Sequence, residues 1–181
     1  MYKIQIDENI TLRCIVAEDA EAIFHAIDSN RVHLSAFLPF VEFTKSSEDT
    51  LSFIKTLFNA EGKMPIPTYV VEYQGEFCGL AGYNGANNGN KKLQIGYWLT
   101  EKFLKKGIMT LTVRALVNIA FDVMDMNSIR IKCAVNNEQS RAIPLRLGFK
   151  SEGVERQGEL YADGSFADLE VFSILAEEWR G

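Results

Sequence analysis

The chain has 181 residues, 47% of them hydrophobic, which is ample for one core and short of two independent domains of ordinary size. A net charge of −5 excludes a broad nucleic-acid surface, which needs clustered cations, and favours a cationic amine over nucleic acid as partner. Three cysteines, Cys14, Cys78 and Cys133, are odd in number and lack CxxC spacing, and only two histidines accompany them, so no disulfide framework, zinc site or other metal site is expected.

Residues 2–15 read as a strand pair around the turn Asp7-Glu8-Asn9, and the first residues carry no charged-then-apolar leader pattern. With no apolar run long enough to span a bilayer, the expectation is a cytoplasmic protein without a membrane partner; a homo-oligomer is left open. Residues 18–29 follow as an amphipathic helix, and a further helical region leads to Ser46-Ser47-Glu48-Asp49, a helix start whose acidic residues complement the helix dipole. The apolar set of that helix is Leu51, Phe53, Ile54, Leu57 and Phe58, and Pro65 and Pro67 are expected to end it. Residues 68–73, 77–83 and 92–99 then alternate as three strands of an antiparallel meander.

The third of these strands carries the most informative feature of the chain. Leu93-Gln94-Ile95-Gly96-Tyr97-Trp98-Leu99 runs through Thr100 into the turn Leu104-Lys105-Lys106-Gly107-Ile108-Met109-Thr110, which opens a long helix. A helix start has four N–H groups without intrahelical partners and about half a positive charge, so a phosphate group settles there, and Lys102, Lys105 and Lys106 add mobile cations. The Gly-Lys-Ser/Thr ending of a Walker loop and the GxGxxG pattern are both absent. In the helix itself Leu111, Ala115, Leu116, Ile119, Ala120 and Val123 form the expected apolar stripe.

Residues 129–135 alternate as a strand, after which Asn137 reads as an N-cap and Gly148 as the left-handed residue closing a helix that contains Pro144. Pro144 removes a backbone donor and is expected to distort a turn. A final hairpin, residues 153–161 and 166–175, surrounds Ala162-Asp163-Gly164-Ser165. The crossover from the third meander strand through the long helix to residue 129 predicts a parallel pair, so the sheet is expected to be mixed.

The turn resembles the acetyl-coenzyme A pyrophosphate loop of the GNAT N-acetyltransferases, a six-residue Gln/Arg-x-x-Gly-x-Gly/Ala pattern. Gly107 matches its central glycine, whereas Leu104 and Met109 replace the first and last residues. The phrases Gly-Tyr-Trp-Leu-Thr and Gly-Ile-Met-Thr on either side, the succession of strand, Asn-x-x-Ser, helix and Gly-Phe, and Asn30-Arg31-Val32-His33-Leu34 with Phe37-Leu38-Pro39-Phe40 look like the ribosomal-protein N-terminal acetyltransferase branch. The resemblance implies an α/β (α+β) fold with a mixed, mostly antiparallel central sheet flanked by helices and a splayed strand pair around acetyl-coenzyme A. It implies cofactor contacts from Tyr97, Trp98, Leu99 and Thr100, from Leu104, Lys105, Lys106, Gly107, Ile108, Met109 and Thr110, and from Asn137 and Ser140. Read from the residues alone, the aromatic pair is core, and Asn137 and Ser140 are helix-capping residues.

Acyl transfer from a thioester needs a neutral amine and a proton for the departing thiolate. Glu159 stands where the resembling branch has its general base, with Glu155 and Asp168 as alternatives, and Ser140 where it has its general acid. Cys133 matches a thiol near the coenzyme in some relatives and is otherwise an inert strand residue. Together these imply an acetyl-coenzyme A-dependent N-acetyltransferase acting on a primary amine, with a protein N-terminus favoured, by direct transfer in a ternary complex. The alternatives are the same chemistry on a polyamine, amino sugar or amino-acid analogue, or an acyl-coenzyme A sensor without turnover.

Overall fold

The computed structural model describes residues 3–180, so Tyr2 of the expected first hairpin lies outside the described residues. Eight strands, β1 (Lys3–Gln5), β2 (Ile10–Cys14), β3 (Thr68–Tyr73), β4 (Glu76–Asn87), β5 (Lys92–Leu99), β6 (Ser128–Ala134), β7 (Lys150–Leu160) and β8 (Phe166–Leu175), form one sheet in the order β1-β2-β3-β4-β5-β6-β8-β7. Six helices accompany them: α1 (Ala20–Asp28), α2 (Arg31–Ser35), α3 (Ser47–Thr56), α4 (Ile108–Asp122), α5 (Glu138–Arg146) and α6 (Ala176–Arg180). The β5–β6 pair is parallel, in register from Lys92↔Ser128 to Gln94↔Arg130, while β1–β2, β2–β3, β3–β4, β6–β8 and β7–β8 are antiparallel. The mixed, mostly antiparallel sheet expected from the crossover is therefore present. The chain groups into two compact units, residues 3–82 with Tyr97–Ile108, and Tyr83–Gly96 with residues 109–180.

In the first unit Asp7 closes the β1–β2 turn by accepting the N–H groups of Asn9 and Ile10 at 2.8 and 2.7 Å. The core gathers Ile15, Ile23, Ile27, Leu34, Val41, Ile54, Val70 and Leu80, with Trp98 and Phe77 packed against it. Ser46 caps α3 and the Asp49 carboxylate bonds back to the Ser46 N–H at 3.0 Å, as the start signal predicts. Two expectations about α3 need correcting. Phe53 and Phe58 are 45% and 36% exposed, leaving Ile54 as the fully buried contact. The helix also stops at Thr56, well before Pro65, because Leu57 and Phe58 tighten the last turn and Asn59 folds the chain back on Lys63 through a 2.8 Å backbone bond. Gly79 is obligatory for a different reason. A Cβ there would stand 2.1 Å from the Trp98 carbonyl, so β4 and this end of β5 approach as closely as they do only over glycine.

In the second unit the buried residues of α4 include Met109, Val113, Leu116, Val117, Ala120 and Phe121, whereas Val123 is 76% exposed. The apolar stripe is rotated from the expected set, although Leu116 and Ala120 belong to both. The Tyr83 hydroxyl donates to the Leu116 carbonyl at 2.6 Å in the interior. Pro144 lies inside α5 and is buried. The helix closes beyond it through Leu147 N–H to Ile143 and Phe149 N–H to Pro144, with Gly148 at φ 82 supplying the left-handed exit predicted for it.

Candidate functional site

In the first unit, β5 ends in a 3-10 turn, Glu101–Phe103, held by two bonds from elsewhere in the chain. Thr100 N–H donates to the Cys78 carbonyl at 2.9 Å, and Glu101 N–H donates to the Asn30 side chain at 3.0 Å. Asn30 thus acts as a peg for the approach to the turn, a role that motif reading does not disclose because its partner is 71 residues away. Its neighbour Arg31 is equally structural, donating to the carbonyls of Val41 and Thr44 and pairing with Asp28 at 2.8 Å.

The turn then takes two left-handed residues, Lys105 at φ 61 and Gly107 at φ 77, on either side of Lys106. Left-handed residues in such a turn aim backbone N–H groups into a shared concavity that suits an anion. Nothing lies within 4 Å of a Cβ placed on Gly107, so the glycine is favoured by its φ and not by any neighbour in the chain. Two of the three lysines expected to be mobile are engaged. Lys102 pairs with Glu76 at 2.6 Å, and Lys106 sits over the rings of Tyr73 and Phe103 at 5.5 and 5.1 Å. Trp98 gives its ring to the core, 5.9 Å from Phe77, and its carbonyl points toward Gly79. Alternation along a strand turns the backbone groups of Leu99 to the opposite side.

In the second unit, Thr110 lies in the first turn of α4 and accepts a 2.8 Å hydrogen bond from the Arg146 guanidinium. Among the described residues no carboxylate lies within ion-pairing distance of Arg146, in contrast to Arg13, Arg31, Arg130 and Arg141. Sequence reading misses Arg146, since a cation in the last turn of a helix reads as a complement to the dipole.

Asn137 caps α5 by accepting the Ser140 N–H at 3.0 Å, and the Ser140 hydroxyl lies 3.2 Å from the Cys133 sulfur of β6. The capping role and the proposed chemical role thus fall on the same residues. Where β6 ends, a cavity of about 520 Å³ is lined by Val135, Asn136, Gln157, Tyr161, Phe166 and Asp168, among others. Asp168 accepts the Gln157 N–H at 2.7 Å. The Tyr161 phenol is held above its ordinary pKa, first by burial and then by the charges of Glu159 and Asp163, so it keeps its proton as a donor. Glu159 pairs across the hairpin with Ala167, itself part of the cavity wall. Glu155 is bound to Lys132 at 2.5 Å on another stretch of the same hairpin. Of the three candidate carboxylates, Asp168 lines the cavity, Glu159 adjoins its wall and Glu155 is committed to an ion pair. No helix among the described residues is long and apolar enough to cross a membrane.

Residues 9–150 match the family model described as an acetyltransferase (GNAT) domain. The chain is 36% identical to the "Putative ribosomal N-acetyltransferase YdaF" of Bacillus subtilis, over 100% of this chain and 99% of that one. Among solved structures, the ribosomal alpha-N-protein acetyltransferase RimL, in complex with coenzyme A as a cysteine disulfide, superposes with a TM-score of 0.89 at 26% identity, covering 96% of this chain and 98% of that one. The microcin C7 self-immunity acetyltransferase MccE, in complex with acetyl-coenzyme A and AMP, reaches 0.88 at 28% identity and 95% of both chains.

Proposed function

From the premise that this chain belongs to the GNAT acetyltransferase family, and is an N-acetyltransferase using acetyl-coenzyme A, we propose that its acceptor is the α-amino group of a ribosomal protein N-terminus. The full-length likeness to a chain named as a ribosomal N-acetyltransferase carries this reading. Such an acceptor would meet the enzyme in the cytoplasm. The 520 Å³ cavity supports it too, since polar groups of Asn136, Gln157 and Tyr161 line a space suited to an extended peptide terminus. We read the whole chain as one catalytic domain.

The turn fits the coenzyme: left-handed Lys105 and Gly107 shape it for a pyrophosphate. In this reading Tyr97 and Leu99 offer backbone to the pantetheine arm while Trp98 and Thr100, turned toward β4, fix the strand beside it, residues 104–110 hold the phosphates, and Asn137 and Ser140 border the reactive end. Acetyl-coenzyme A brings the acetyl group as an activated thioester. Glu159 accepts the proton of the acceptor amine, directly or through water, and Ser140 donates its hydroxyl hydrogen bond toward the departing sulfur. A small-amine acceptor is the second reading, favoured by the likeness to an acetyltransferase whose structure holds a small molecule, AMP, together with acetyl-coenzyme A.

One assay separates these possibilities. Thiol release from acetyl-coenzyme A is followed with ribosomal-protein N-terminal peptides, the same peptides blocked at the α-amine, and a panel of polyamines, amino sugars and amino-acid analogues. Turnover confined to free peptide N-termini is the expected result. Turnover only on small amines would replace the acceptor reading, and thiol release on none would favour a sensor.

A further inference from the structure

The residue after Ser140 is held by a set of charge-assisted hydrogen bonds. Arg141 donates through Nε to Glu170 at 2.6 Å, approaches the same oxygen through Nη2 at 2.6 Å, and reaches the Val135 carbonyl through Nη1 at 3.2 Å. The other oxygen of Glu170 accepts the Ser151 hydroxyl at 2.8 Å, so the carboxylate is fixed from two sides. The side chain of Glu170 is 14% exposed, and charge-assisted bonds in such a setting are stronger and more directional than surface pairs. Glu170 on β8 stands directly across from Cys133 on β6. Two adjacent residues of α5 are therefore fastened to two paired residues of the sheet, Ser140 at Cys133 and Arg141 at Glu170.

This arrangement matters because α5 is a weak helix. It has nine residues, contains Pro144, and cannot hold its register by intrinsic propensity. The far end of α5 is held by Arg146 on Thr110, but its first turn can still roll about the helix axis, and such a roll carries the Ser140 hydroxyl off line. We propose that Arg141 and Glu170 form a positioning pair that sets the Ser140 hydroxyl against Cys133, and so the alignment of that hydroxyl with the leaving sulfur during transfer. The inference rests on the reading of Ser140 given above. Neither Arg141 nor Glu170 touches a reacting atom; the pair acts through Ser140.

Steady-state kinetics of Glu170→Gln, Ser140→Ala and the double variant test this, with acetyl-coenzyme A varied at saturating acceptor. Glu170→Gln should lower kcat on the order of tenfold while leaving the acetyl-coenzyme A KM within about twofold, because ground-state binding does not depend on hydroxyl alignment. The double variant should be no slower than Ser140→Ala alone, since a positioning residue has nothing left to position. Arg141→Lys keeps the charge without the two-pronged fork and should recover part of the rate relative to Arg141→Ala. Multiplicative losses in the double variant, or a raised KM with kcat unchanged, overturn the proposal. A full rate in Ser140→Ala would instead remove the Ser140 reading on which it stands. Thermal melting of each variant identifies any loss that comes from unfolding.

Discussion

Gly107 is the residue at which backbone conformation and the proposed phosphate approach make the same demand. A β-branched side chain at φ 77 costs about 1–3 kcal/mol of backbone strain, and the open space beyond its Cβ position is the space a phosphate would enter. Gly107→Val should weaken coenzyme A binding by roughly tenfold or more in calorimetry. Lys102→Ala should change it little, because that ammonium is already paired with Glu76. Affinity unchanged in Gly107→Val would remove the turn from the cofactor site. Glu159 calls for a pH series. An α-amino group titrates at about 7.7–8.0, so at neutral pH much of it must lose a proton before it can attack. Glu159→Gln should therefore be most defective near pH 7, with the deficit shrinking toward pH 9 as solution supplies neutral amine. A constant deficit at every pH would assign Glu159 to orientation, and full activity would pass the role to Asp168, which lines the cavity.

Elements announced by local chemistry were legible in the sequence; their packing was not. The Ser46 cap, the Asp7 turn, the Gly148 exit and the final hairpin all depend on residues a few positions apart, and each forms as expected. The rotated face of α4 and the exposure of Phe53 and Phe58 are settled by neighbours distant in sequence, which periodicity within one helix does not contain. The same limit hid the bond of Arg146 to Thr110, while Gly107, Asn137 and Ser140 stood out because short-range motifs carry them. At the start of α3, the Asp49 carboxylate is held below its ordinary pKa, mainly by the Lys45 N–H, with the Ser46 groups adding to it. A depressed folded-state pKa gives stability that is complete above the unfolded value and lost as pH falls through the folded one. Asp49→Asn should thus lower the melting temperature at pH 7, and the gap to the parent should close as pH drops below about 3.9. A gap that persists unchanged at pH 2 would show that the carboxylate's charge is not what holds the cap.

For the molecule as a whole, the net charge of −5 acts on every ligand that approaches. An acidic enzyme attracts a cationic acceptor over distances that salt controls, since exposed charges are screened beyond about 10 Å at 0.1 M ionic strength. An N-terminal peptide bearing two additional lysines should accordingly lose severalfold in kcat/KM between about 0.02 and 0.5 M salt, while an uncharged peptide with the same first residues should lose much less. The coenzyme provides the opposite control. As an anion it is repelled by the whole protein and, in the proposed reading, attracted by the turn, where Lys105 has no carboxylate partner among the described residues. Short-range attraction outweighs the diffuse charge when the contacts lie within one screening length, so coenzyme affinity should also fall with salt. If it rises instead, net charge governs coenzyme binding and the local cations do not. Equal salt sensitivity for the lysine-bearing and uncharged peptides would show that acceptor choice is made by contact in the cavity, with no contribution from the field of the protein.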